Sequence, residues 1–182
     1  MPQGYQIYNQ QATYFLTFQV VEWVDVFTRP AYKTILTDCF SFCRKNKGLQ
    51  LFGYVIMTNH VHLIARAKEG YRLSDIVRDF KKFTANQILP MLQGAQESRR
   101  DWMLKRFEFA AAAHQRNSHY QFWTHENHAI ELFNADFAKQ KLAYIHNNPV
   151  RAAIVEMPED YLYSSARNYA GKEGIIDVDW LF

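Results

Sequence analysis

Two apolar, β-rich runs joined only by Thr58-Asn59 constrain this chain more than any other feature. Leu51 to Met57 and His60 to Arg66 each read as a strand, and two such runs with so short a link must lie side by side and antiparallel. Thr13 to Val20 is aromatic, β-branched and partly alternating, a third strand, and Tyr120 to Trp123 reads as a short fourth. Helical patterns fall between them. Thr28 as cap and Pro30 in the first turn open a helix with an apolar stripe of Ile35, Leu36, Cys39, Phe40 and Cys43, and Gly48 ends it. Ser74 begins a second, with Ile76, Val77, Phe80, Phe83 and Ile88 facing inward and Pro90 near its end. Asn134 caps a third that runs from Ala135 to about Asn147 and stops before Pro149.

The order β-α-β-β-α-β predicts an α+β fold: a ferredoxin-like antiparallel sheet with helices packed on one face and the histidine-bearing strand at its centre. At 182 residues the chain reads as one domain, 1–182, with a helical, basic insertion around 94–118 in which Ala110 to Ala113 suggest a further helix. A net charge of +3 excludes a histone-like polycation, yet the cations are uneven. They gather at Arg44 to Lys47, at Arg78, Lys81 and Lys82, and at Arg99, Arg100 and Arg106, as phosphate-facing patches or as solvated helix faces. Aromatic residues reach 16%, enough to fill a core and leave rings for stacking on unpaired bases. Cys39 and Cys43, one helical turn apart with no further pair, read as small core hydrophobes rather than a zinc or disulfide framework. The N-terminus has no signal-peptide pattern and no apolar run is long enough to span a bilayer, so no membrane partner and a cytoplasmic location are expected.

His60 and His62 carry the chemistry. On a strand, residues i and i+2 share a face roughly 6.5–7 Å apart, so both imidazoles can converge on one ion while Val61 and Leu63 enter a core. The bland alternative is two solvent-facing or hydrogen-bonded histidines. Further along, Tyr144 and Asn148 stand at i and i+4 on one helix and share a face. If that face lies over the sheet, His60, His62 and Asn148 form a divalent-cation site with open positions, and Tyr144 is a nucleophile beside it. Otherwise Tyr144 is an ordinary helix tyrosine and Asn148 a helix stop. His146, two residues from Tyr144, falls off that face.

The His60-Val61-His62 motif resembles that of the HUH endonucleases. Tyr144 to Val155, followed by Pro158-Glu159-Asp160-Tyr161 and Ser164-Ser165-Ala166, is similar to the REP-associated tyrosine transposases, relatives of the single-tyrosine insertion-sequence enzymes. The resemblance covers nearly the whole chain. It implies DNA transposition chemistry: a metal-dependent endonuclease and strand transferase that cuts single-stranded DNA beside hairpins. A 5′-phosphotyrosine would form on Tyr144, and His60, His62 and Asn148 would hold Mg²⁺ or Mn²⁺. The partners would be single-stranded and hairpin DNA, with no nucleotide cofactor, and the enzyme would act as a monomer or a homodimer. Arg78, Lys81, Lys82, Arg99, Arg100, Arg106, Trp123 and Arg151 are the candidate DNA contacts. Trp123-Thr124 departs from the family's Trp-Gln pairing, and His125, Glu126 and His128 beside it read as a polar loop or as extra ligands. The competing reading is a catalytically idle protein of the same fold that binds hairpin nucleic acid.

Overall fold

The computed structural model describes residues 6–94, 96–113 and 119–182. Its centre is the hairpin read from the sequence: β2 (Leu49–Ile56) and β3 (His60–Ala67) pair antiparallel, and Met57 N–H donates to His60 O across the turn at 2.9 Å. β1 (Tyr14–Gln19) pairs with the other side of β3, so that Thr17 faces His62 and Phe15 faces Ile64. β4 (Ile130–Glu131) adds two residues outside β1. The order β2-β3-β1-β4, antiparallel throughout, is the ferredoxin-like α+β sheet with the histidine strand inside it. The short fourth strand is not Tyr120 to Trp123. That segment makes only an isolated bridge between Trp123 and Val20, because beyond Gln19 the first strand gives way to a 3₁₀ turn at Val21–Trp23 and offers no straight edge.

Strand alternation sorts the side chains into two layers. Tyr14, Leu16 and Phe18 of β1 and Val61, Leu63 and Ala65 of β3 face α1 (Pro30–Asn46) and α2 (Leu73–Gln93) in the larger core. Phe15, Val55 and Ile64 face the other way and meet Leu142 and Ile145 of α4 (Ala135–Arg151). The expectation of helices on one face therefore describes α1 and α2, and α4 covers the opposite side. Pro30 sits at the start of α1, but Arg29 rather than Thr28 occupies the cap position and no side chain caps it. Phe83 is 50% exposed rather than inward: it comes up in an apolar groove between α1 and α2, and Thr84 takes the buried position, its hydroxyl donating to Phe80 O. α3 (Arg100–Ala112) lies within the basic interval; positions 95 and 114–118 of that interval lie outside the described residues.

α4 runs past Pro149 instead of stopping before it. Its N-terminus is capped as read, with Phe137 N–H donating to Asn134 Oδ1 at 2.8 Å. A proline in a last turn sacrifices one helical hydrogen bond, and here its ring is buried while Ala152 N–H and Ile154 N–H close the end on Asn148 O and Pro149 O. After the helix the chain returns along the outer edge of β2: Ile56 N–H donates to Tyr163 O, Ser165 N–H to Tyr54 O, and the Tyr161 hydroxyl to Ile56 O. α5 (Ala166–Tyr169) follows. Among the described residues, no helix is long and apolar enough to cross a membrane.

Candidate active site

β3 presents His60 and His62 on the α4 side, their ring centroids 4.6 Å apart. Each ring is oriented through Nδ1. His60 Nδ1 lies 2.7 Å from Asn59 Oδ1, and His62 Nδ1 lies 2.9 Å from the hydroxyl of its cross-strand neighbour Thr17. The Asn59 amide is itself fixed, because its nitrogen donates to Trp23 O and Asp25 Oδ1, so its oxygen is the atom facing His60 and the His60 Nδ1 carries the hydrogen. A histidine held at one nitrogen by such a partner presents the other to an ion in a set direction. Burial lowers the pKa of both rings, and His62, 6% exposed, is pushed down to about 3 by burial and then by His60, Lys141 and His128. Both imidazoles are neutral at physiological pH, the protonation state that binds metal.

Tyr144 stands over this pair from α4. Its ring is 5.4 Å from His62 and 6.0 Å from Phe15, edge-on to both, and the residue is 37% exposed. Two cations flank it: the Arg151 guanidinium lies 5.3 Å and the Lys141 ammonium 5.8 Å from the phenol ring. Asn148 is partly buried one turn beyond Tyr144 on the same helix. The fold thus brings His60, His62 and Tyr144 together, with Arg151 beside them and Asn148 on the tyrosine's helix. Lys141 was missed in the sequence, although its place three residues before Tyr144 puts it on the same helical face. Among the described residues, no group of three or more His, Cys, Asp and Glu side chains is placed to hold a metal. The potential donors on this side of the sheet are the two neutral imidazoles, with the Asn148 amide one turn beyond Tyr144.

α4 is seated by contacts away from the tyrosine. A side chain at Gly53 would bring its Cβ to 2.6 Å from Leu142 Cδ1, so the glycine sets how closely the helix approaches β2. On the far flank His146 Nε2 lies 2.8 Å from Ser165 Oγ, which also accepts from Tyr54 N–H. His146 is off the face that carries Tyr144, as its spacing requires.

The remaining candidates lie elsewhere. Trp123 is 6% exposed, packs against Phe18, Phe27 and Phe122, and donates its indole N–H to Thr84 Oγ1. It is chiefly a core residue, and what remains of its surface lines the groove that also holds Arg78, Lys81 and Lys82. Arg78, Lys81 and Lys82 line a groove of about 1080 Å³ between α2 and residues 120–127, on the α2 side of the sheet. Within it Arg78 pairs with Asp75 and Asp79, and Lys81 donates to Thr124 O and Glu126 O while burial lowers its pKa to about 7. Arg99 ties the buried Glu97 to Asp25 O and Thr28 Oγ1. Arg100 pairs with Asp101, and Arg106 is exposed over Trp102. His125, Glu126 and His128 border a smaller groove with Phe109 and Val21.

A conserved-family model described as IS200-like transposase matches residues 9–148, which include both histidines, Tyr144 and Asn148. The chain belongs to that transposase family. Its fold is similar to a REP-associated tyrosine transposase solved bound to a REP hairpin, with a TM-score of 0.66 and 17% identity over 100% of this chain and 94% of that one. It also aligns with a transposase candidate from Deinococcus radiodurans R1, at a TM-score of 0.45 and 19% identity over 81% of this chain and 97% of the other. No curated protein matches the sequence.

Proposed function

We propose that this transposase is a metal-dependent endonuclease and strand transferase for single-stranded DNA that carries hairpins. The observation that supports it most is the approach of Tyr144 to His62, 5.4 Å between rings, with His60 4.6 Å further on. In this reading Tyr144 Oη attacks a phosphorus: the new oxygen–phosphorus bond leaves a 5′-phosphotyrosine, the bond to the 3′-oxygen breaks, and that oxygen departs as a hydroxyl. Reversal with a different 3′-hydroxyl rejoins strands without a nucleotide cofactor. His60, His62 and Asn148 would hold Mg²⁺ or Mn²⁺, which when bound supplies Lewis-acid polarisation of the phosphate. Arg151 and Lys141 place positive charge beside the phenol ring, where it would neutralise the incoming phosphate. The hairpin preference rests on the fold's likeness to the hairpin-bound transposase.

The test is a single-stranded oligonucleotide bearing a hairpin, incubated with Mn²⁺ or Mg²⁺ and resolved on a denaturing protein gel. A covalent adduct in the native chain that disappears in Tyr144→Phe supports the reading. Site-specific cleavage that persists in Tyr144→Phe removes the nucleophile, and hairpin binding without cleavage in either metal identifies an idle binder instead.

A further inference from the structure

The turn after β1 holds a residue that the site described above does not use. Glu22 and Trp23 both have φ of +54°, the left-handed region that glycine fills at no cost, yet neither is glycine. Val21 and Val24 on either side are buried, so the turn is anchored by its neighbours and Trp23 is the residue turned outward, 60% exposed. The conformation is held from the strand beside it. Trp23 N–H donates to Val20 O at 3.2 Å, Asn59 Nδ2 donates to Trp23 O at 3.3 Å, and Thr58 and Asn59 both donate to Asp25 Oδ1. Asn59 is the residue that orients His60, and the Trp23 ring lies 6.2 Å from the His60 ring. Trp23, His60, His62 and Tyr144 thus form a row of rings along one side of the sheet, with neighbouring centroids 6.2, 4.6 and 5.4 Å apart.

Two unfavourable features therefore meet at the end of that row: strained non-glycine backbone and a large indole left in water. Backbone strain of this kind persists where the surroundings over-determine it and clusters at ligand-holding positions. An indole face stacks on any unpaired base regardless of sequence. Glu22 and Asp25 beside it are acidic and repel a phosphate, so a base rather than the sugar-phosphate chain suits the position. We propose that Trp23 is a stacking platform for one unpaired nucleobase, next to the nucleotide whose phosphate meets His60 and His62. The inference rests on the reading of the chain as a single-stranded DNA enzyme and adds a binding position to it.

The experiment measures binding apart from chemistry. Fluorescence anisotropy without divalent cation gives the Kd of a hairpin oligonucleotide with a single-stranded flank for the native chain, Trp23→Phe and Trp23→Ala, each checked for folding by circular dichroism. A second series replaces each flank nucleotide in turn by an abasic site. Trp23→Ala is expected to weaken binding about 5- to 150-fold, the range of one lost base stack, and Trp23→Phe much less. One abasic position should weaken the native chain comparably and Trp23→Ala not at all. Native affinity in Trp23→Ala, or abasic losses that simply add to it at every position, overturns the platform. A chain that stacks as expected yet forms no Tyr144 adduct leaves the platform standing and removes the nuclease reading; a chain that binds neither strand nor hairpin removes both.

Discussion

His62 combines an orienting hydrogen bond, deep burial and a neighbouring ring on either side, and each favours a neutral imidazole held in one direction. His62→Gln keeps the approximate size but not the nitrogen, so Mn²⁺ affinity by calorimetry should fall at least tenfold while the fold persists; unchanged affinity would move the metal elsewhere. Lys141→Met keeps an unbranched side chain and removes the ammonium that lies 4.8 Å from the Phe15 ring and 5.8 Å from the Tyr144 ring. Single-turnover adduct formation should slow about tenfold with hairpin Kd unchanged, whereas a parallel loss in Kd would make Lys141 a plain DNA contact. Glu22→Gly relieves left-handed strain at an exposed turn and should raise stability by about 1 kcal/mol, read as a higher melting temperature. His60, His62 and Tyr144 were legible in the sequence because strand and helix periodicities are local rules. Trp123 and Lys141 were not. Whether an indole points into a core or towards a ligand, and which helical face meets a sheet, are decided by partners distant in the sequence, such as Thr84 and Phe18 for Trp123 and Phe15 for Lys141.

α4 is the element on which the site depends, and its seat is set mostly outside the site. Gly53 on β2 leaves room for Leu142, and the Ser165–His146 contact holds the opposite flank. Gly53→Ala should cost about 1–3 kcal/mol of stability through overpacking, since Leu142 is buried and has little space to retreat. If the same variant loses adduct formation beyond its loss of folded protein, helix height is what aligns Tyr144; a proportionate loss would make the contact merely structural. The cap at Asn134 was visible in the sequence, but the helix end was not. Pro149 signals a stop by local rules, and only the buried packing of its ring lets the last turn continue.

For the molecule as a whole, three partly or fully buried histidines make stability depend on pH. His60 is lowered by burial, His62 sits at about 3 and His146 at about 4, while their unfolded values lie near 6.5. The unfolded chain therefore takes up protons that the folded chain refuses. The histidines' contribution to stability is fully present above about pH 6.5 and declines as pH falls towards 4, by up to about 1.4 kcal/mol per pH unit for each histidine held neutral. Urea midpoints measured from pH 7 to 4 should drop accordingly, and His146→Gln should flatten the decline; a midpoint constant over that window would contradict the burial argument. The antiparallel sheet itself was readable from the order of strands and helices, whereas the placement of α4 on the second face was not. A helix stripe names what is buried and leaves open which side of a sheet buries it. That second face ends at the outer edge of β2, where residues 161–165 lie along the strand as a selvedge. A bare strand edge is adhesive towards other copies, so this return of the chain also guards colloidal stability. Cutting the protein after Met157 should leave the histidine hairpin intact but convert a dispersed protein into one that clumps.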